Sequence, residues 1–292
     1  MSISNTLPVK KNEKPAWDLE LSSKHKLLDF KIKEIIQYRD LIWLFIKRDF
    51  STQYKQTILG PIWYIVQPLV TTVINTFIFG NLAKIGTDGI PYILFYFAGT
   101  MLWTFFSNSL TSAAGIFSNN QSIFSKVYFP RLTVVISNLA STSFKLLIQF
   151  ACLVFFWIYY IIIGEKVFPT AYALLFPFLI LWIGLLGTGI GMIISSLTTK
   201  YRDLNHLLGF GLNLAMYITP VVYPLSEAPE KFIWFFYVNP VSAPIELFRV
   251  WFYGAGSVPF LMSLSSIIMT FSFLFIGLLL FKRNERTFVD VI

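Results

Sequence analysis

The sequence predicts an all-α polytopic membrane protein. It has six transmembrane helices, an N-terminal amphipathic interface helix, and extracytoplasmic re-entrant helices between spans five and six. Three observations predict this. The 292 residues are 55% hydrophobic and 13% charged, with a mean hydropathy of +0.65, where soluble domains carry about 25% charged residues. Residues 56–83, 90–125 and 167–199 contain no Asp, Glu, Lys or Arg, and 132–164 is interrupted only by Lys145. Apolar runs of about 18 residues or more read as membrane spans, because in lipid a helix satisfies its own backbone. Finally, the basic residues behind the net charge of +8 flank these runs. They therefore read as orientation signals rather than a nucleic-acid footprint.

Residues 1–29 are polar, lack the apolar core of a signal peptide, and are expected to be a flexible cytoplasmic tail. Residues 30–57 have helical periodicity. Ile32, Ile35, Ile36, Ile42, Trp43, Ile46 and Phe50 share one face and Lys33, Gln37, Asp40, Lys47, Ser51 and Lys55 the other, with Leu44 as the exception. That is the pattern of a helix lying in the membrane interface. The transmembrane domain is placed at 58–285, with spans at about 58–80, 91–112, 138–163, 171–198, 206–223 and 258–281, and a cytoplasmic tail at 286–292. Charged or turn-forming gaps separate the spans: Lys84 and Asp88, then Gly164 to Lys166, then Lys200 to Asp203, with Lys282 and Arg283 closing the last.

Basic residues near the span ends set the orientation. Arg39, Lys47, Arg48, Lys55, Lys126, Arg131, Lys200, Arg202, Lys282, Arg283 and Arg286 fall on one side, against Lys84, Lys166, Lys231 and Arg249 on the other. Both termini are therefore expected in the cytoplasm. Residues 224–257 are unusual, with Phe232, Trp234, Phe235, Phe236 and Tyr237 crowded together and Pro224, Pro229, Pro240 and Pro244 interrupting them. They read as short helices that dip into the outer leaflet and return, or as an aromatic belt on an ordinary loop.

The catalytic inventory is thin. The sequence contains no G-x-x-x-x-G-K-[ST] motif, and its two histidines, His25 and His206, are far apart, so neither a P-loop nor a metal site is expected. No close carboxylate pair lies in a span, and Lys145 is the only formal charge inside an apolar run. Proton-relay and glycosidase chemistry lack their parts. Lys145 reads either as a pathway cation or as a side chain snorkelling to the inner edge of span three. Cys152, the only cysteine, excludes an internal disulfide.

The spans instead carry polar and aromatic stripes: Tyr64, Gln67, Thr71 and Asn75 in span one, Tyr92, Tyr96, Trp103 and Phe106 in span two, and His206, Phe210, Asn213 and Tyr217 in span five. Aromatic faces suit sugars, whose C–H faces stack on rings while amides bond the hydroxyls. The same residue types also serve helix packing. Gly184, Gly187, Gly189 and Gly191 in span four read as a packing face.

Ordered motifs then carry a resemblance. Arg48-Asp49-Phe50, Tyr54-Lys55, Leu59-Gly60-Pro61-Ile62-Trp63 and Gln67-Pro68-Leu69 open the first span. Asn119-Asn120 with Ile123, Lys126, Val127, Phe129, Pro130 and Arg131 follows span two. Tyr201-Arg202-Asp203-Leu204 starts span five and Thr219-Pro220-Val221-Val222-Tyr223-Pro224 ends it, and Asn239-Pro240 with Glu246 and Arg249 lies beyond. From about residue 35 to 285 the set resembles type 2 ABC transporter permeases, closest to the polysaccharide exporters for O-antigen, capsule and teichoic acid.

The resemblance implies a permease subunit in a bacterial cytoplasmic membrane. Two copies would surround a conduit for a lipid-linked polysaccharide, O-antigen first among the candidates. Two separate nucleotide-binding subunits would carry ATP and Mg, and this chain would bind no cofactor. It implies ATPase coupling through Arg48, Tyr54, Lys55, Phe124, Lys126, Tyr128 and Arg131, with Phe124 and Tyr128 either plugging a groove on the ATPase or buried against headgroups. Arg48, Lys55 and Lys145 either attract the lipid pyrophosphate or only set orientation. Asn239, Pro240, Glu246 and Arg249 would form the re-entrant motif, with Glu246 and Arg249, at i and i+3, tying it down. Export of another amphiphile is the alternative within the family, and an integral-membrane glycan-processing enzyme is the alternative of another class. A secondary carrier is disfavoured by the scarcity of intramembrane charge.

Overall fold

A computed structural model describes residues 32–54, 57, 60–127, 129–198 and 203–291. Among these residues every regular element is helical. The expected tail at 1–29 lies outside them, as do Lys55 and Tyr128.

The predicted interface helix is split at Tyr38 into α1 (Ile32–Gln37) and α2 (Arg39–Tyr54). Its buried face is narrower than the periodicity predicts. Ile35, Phe45 and Ile46 are buried, whereas Ile36, Trp43 and Leu44 face outward. A second packing surface explains this, since Phe45 enters a cluster with Ile116, Phe117, Phe124, Phe129 and Phe281. The outward apolar residues are left for the membrane interface.

The first span begins with a tight turn at Gly60–Ile62, continues as α3 (Trp63–Asn75), and winds into a π-helix over Thr76–Leu82. Helix α4 (Tyr92–Ala114) is buried along most of its length and forms the axis around which α3, α7, α8 and α11 pack. Two single-turn helices, α5 (Ile116–Asn119) and α6 (Gln121–Phe124), lead into α7 (Leu132–Ile163). At 32 residues, α7 is about 48 Å long at ~1.5 Å per residue and exceeds the ~30 Å of bilayer hydrocarbon. It begins six residues before the predicted start of span three. Gly164, at φ +99°, ends it in the left-handed conformation that glycine adopts without a Cβ clash.

Helix α8 (Phe176–Thr198) is wedged between α4 and α12 (Phe260–Val291). Its glycines explain how. A Cβ on Gly187 would lie 2.8 Å from the Phe106 carbonyl oxygen of α4, and one on Gly189 would lie 2.8 Å from the Leu274 amide nitrogen of α12. The glycines therefore serve two neighbours on opposite faces. Rings from three helices fill part of the core: Phe150 stacks on Phe176 at 4.2 Å and Phe248 on Phe252 at 4.4 Å.

Two boundaries differ from the prediction. Span five was expected over 206–223, but α9 (Leu204–Ile218) has 15 residues, about 22 Å. Among the described residues five helices are long and apolar enough to cross a membrane, and α9 is not one of them. Thr219-Pro220 stops α9, since proline disfavours helix in the residue before it. Helix α12 also continues through the expected tail at 286–292 as far as Val291. Between α9 and α12 lie two short helices, α10 (Ile233–Val238) and α11 (Ser242–Tyr253).

Candidate coupling site and transport pathway

Helix α2, Ser112 of α4, the α5–α6 segment and the first half of α7 line a polar cavity of about 380 Å³. Arg48 is its centre. Its guanidinium donates to Asp49 Oδ1 at 2.9 and 3.1 Å and to Asn120 Oδ1 at 3.4 Å, and it lies 4.7 Å over the Phe45 ring. Asn120 donates in turn to the Ile116 carbonyl at 3.0 Å, and Ser141 Oγ on α7 donates to Asp49 Oδ2 at 3.4 Å. One charged pair thus joins three separate elements. The ion pair is partly exposed, so its contribution to stability is small. Its geometric role is larger, because α2 cannot tilt without dragging the loop and α7.

Lys145, one turn further along α7, also lines this cavity, with its ammonium 5.3 Å from the Tyr64 ring centroid. Gln149, a turn beyond, donates to the Tyr64 carbonyl at 3.1 Å. Arg131 anchors the other end of the loop. It donates to the Glu285 carbonyl of α12 at 2.6 Å and packs 5.3 Å over the Phe124 ring.

The expected plug residue behaves differently. Phe124 is 9% exposed, pressed against Phe117 and Phe129. It is also the last residue of α6, and its expected partner Tyr128 lies outside the described residues. Ser125, Lys126 and Val127, which follow α6, are exposed, as are Gln121 and Ser122 within it. Tyr54 lies at the end of α2.

Asn239, Pro240, Glu246 and Arg249 close with the end of α9 into one knot. Arg249 is 1% exposed, and its Nη1 donates to Glu246 at 2.8 Å and to the Pro220 carbonyl at 2.8 Å. Nη2 donates to the Val221 carbonyl at 2.9 Å, and the guanidinium sits 3.6 Å over the Phe95 ring. Glu246 also accepts from the Leu225 amide at 3.2 Å. Asn239 donates to Thr219 Oγ1 at 2.8 Å, and the Pro240 carbonyl accepts from Ser266 of α12. The charged pair is neutralised internally and both terminal nitrogens of the guanidinium reach carbonyls, while Nε has no hydrogen-bond partner among the described residues. Thr219, Pro220 and Val221 are where α9 ends, so α11 holds the end of α9 in place.

The stripes divide by helix. On α4, Tyr96, Trp103 and Phe106 are buried inside the protomer and Tyr92 is half-buried. On α3 the stripe splits, with Tyr64 and Asn75 inward and Gln67 and Thr71 outward. On α9, His206, Phe210, Asn213 and Tyr217 are all exposed. The α9 stripe leads to a cavity of about 540 Å³ lined mainly by apolar residues, including Tyr217, Tyr223, Phe232 and Phe235, together with Glu227.

The sequence reading missed Ser141, Asn138 and Gln149 on α7. A small polar residue every three to four positions along an apolar span was the available signal, and it says nothing about which neighbour the side chain will meet.

Residues 40–253 match the family described as ABC-2 type transporter. The chain belongs to that family. The match runs from α2 to the end of α11, so it contains both the polar cavity around Arg48 and the Glu246–Arg249 pair of this ABC-2 type transporter chain. It is 28% identical over 269 residues to an O-antigen export system permease protein RfbA of Klebsiella pneumoniae, covering 91% of this chain and 100% of that protein. It is 25% identical over 206 residues to an RfbA of Myxococcus xanthus, covering 68% of this chain and 74% of that one. A polysialic acid transport protein KpsM of Escherichia coli is 23% identical over 244 residues, covering 82% of this chain and 91% of KpsM.

Proposed function

We propose that this chain is the membrane-spanning half of an ATP-driven exporter that moves a lipid-linked polysaccharide, O-antigen in the first instance, from cytoplasm to periplasm. The observation that carries the reading is the whole-length likeness to an O-antigen export permease. The likeness to a polysialic acid transporter keeps capsule polysaccharide as the second substrate.

In this reading two copies pair in the bacterial inner membrane with both termini in the cytoplasm, and two separate nucleotide-binding subunits dock beneath them. Short α9 counts as the fifth of six spans, completed by the re-entrant α10 and α11. ATP acts by binding one arrangement of the ATPase pair better than the other, which shifts the population of the membrane half. Helix α2 and the exposed loop residues around Lys126 receive that shift. The Arg48–Asp49 pair passes it to α7 through Ser141 and to the loop through Asn120. Gln67, Thr71, Phe210, Asn213 and Tyr217 line the conduit, and the buried α4 aromatics back its wall. Arg48 and Lys145, which share the inner cavity, attract the lipid pyrophosphate.

The test is to purify the tagged chain gently from its native membrane and identify what comes with it. A stoichiometric P-loop ATPase is the expected partner. Its absence after mild crosslinking would remove the engine and move the glycan-processing enzyme to the front.

A further inference from the structure

Helix α3 carries a buried proline, Pro68, in its interior. A proline has no backbone N–H, so the carbonyl four residues earlier loses its helical donor, and the ring crowds that same carbonyl. In α3 that carbonyl belongs to Tyr64. It is the oxygen to which Gln149 Nε2 of α7 donates at 3.1 Å. Both partners are sealed off, with Gln149 5% exposed and Tyr64 7%. Polar side chains often join helices inside a membrane. The acceptor sets this one apart: Gln149 replaces, from a neighbouring helix, a bond that the sequence of α3 removes from within.

Gln149 also belongs to a larger pattern. Ser141, Lys145 and Gln149 recur every four residues along α7, so they form one ridge. Ser141 meets Asp49 of α2 at 3.4 Å, the Lys145 ammonium lies 5.3 Å from the Tyr64 ring centroid, and Gln149 meets the Tyr64 carbonyl. The ridge thus contacts α2 at one end and α3 at the other, about 12 Å further along the helix. Tyr64 is held from a second side by the Phe50 ring of α2, at 6.2 Å between centroids. On α3, exposed Gln67 and Thr71 lie on either side of Pro68, so the direction the helix takes at Pro68 sets where they point.

We propose that Gln149 is a positioning residue that fixes the course of α3 at Pro68, and that through it α3 follows α7 as one body. A helix interrupted by proline has a weak point, since one rung of its ladder is missing and its two halves can change direction there. The bond to Gln149 removes that freedom while it lasts. Movement received by α2 and passed to Ser141 then reaches the Gln67 and Thr71 positions without being absorbed at Pro68. The bond and its dependence on Pro68 stand apart from the exporter reading; its part in transport rests on that reading.

A double-mutant cycle on the full-length chain in mild detergent tests the bond. Gln149→Leu, close in volume, should lower the melting temperature by several degrees, because the buried Tyr64 carbonyl loses its donor. In a Pro68→Ala background the same change should cost only a small fraction of that, because the alanine amide serves the carbonyl from within α3. An equal loss in both backgrounds would overturn the pairing of Gln149 with Pro68. If Gln149→Leu alone does not survive purification, recovery of the double variant reads the same pairing, and its failure overturns it. The tie is read by spin labels on exposed Val73 of α3 and Phe155 of α7, in a Cys152→Ser background with the co-purified ATPase bound. Their distance should be the same in the resting and vanadate-trapped complexes, and Gln149→Leu should broaden or shift it on trapping. A distance that moves on trapping in the parent, or the same behaviour in both, would overturn the tie while leaving the bond standing. Absence of any co-purifying ATPase would overturn the exporter reading and with it the transport role, and the melting cycle would still decide the bond.

Discussion

Arg249 illustrates how a residue role changes between sequence and structure. Its spacing from Glu246 predicts a pair, and the pair forms, but the guanidinium also caps the Pro220 and Val221 carbonyls where α9 ends. Arg249→Ala should therefore lower stability by about 3–5 kcal/mol, because it strands a buried carboxylate. Thermal unfolding in detergent, beside Arg249→Lys, checks this: lysine restores the charge but not the two-carbonyl fork. Phe124 makes the opposite point. Predicted as a possible plug for the ATPase, it is a core side chain, so Phe124→Ala should cost about 3–5 kcal/mol by leaving a cavity. Lys126→Ala, on an exposed side chain, should leave the melting curve unchanged and reduce export per ATP hydrolysed. A melting curve unaltered by Phe124→Ala would return that residue to the surface.

At the scale of elements, hydropathy located every long span, because a twenty-residue apolar run has few alternatives in lipid. It was less exact about the ends. The fifth span was drawn long because Val221 and Val222 are as apolar as the helix before them, and hydropathy does not register that Pro220 ends the helix. The glycines of α8 were legible as packing residues, but their division between α4 and α12 was not. Gly187→Leu should be strongly destabilising, since its side chain meets the α4 backbone. Gly209→Ala on α9, whose Cβ position is open, should be neutral or slightly stabilising through helix propensity. Comparing the two expression levels and melting curves in one membrane preparation checks both. On α2, Arg48→Ala removes the tie between three elements. ATP hydrolysis should persist while export falls, measured in reconstituted vesicles; unchanged export would dismiss the transmission role.

At the scale of the whole molecule, orientation and assembly are open to direct measurement. In a Cys152→Ser background, a cysteine at Lys126 should react with an impermeant maleimide only from the cytoplasmic side, and one at exposed Asp88 only from the periplasmic side. The reverse pattern would invert the topology. Paired cysteines on the exposed α9 stripe, at Phe210 or Tyr217, should crosslink two copies across the conduit or become protected as polymer passes.

Some features follow from the sequence alone because their physics is one-dimensional. Apolar length marks the long helices, five of spanning length among the described residues against the six spans expected, basic residues at the ends bias orientation, and the ordered motifs point to the family. The motifs for the end of span five and the re-entrant helices were visible as separate strings. Only the tertiary structure decided that they are one object, with Asn239 on Thr219 and Arg249 on Pro220 and Val221. It also decided which stripe faces in and which faces out. Tyr96, Trp103 and Phe106 share a helical face just as His206, Phe210, Asn213 and Tyr217 do, yet α4 is buried along most of its length and α9 is not. Periodicity says which residues share a face; the arrangement of neighbouring helices determines what that face meets.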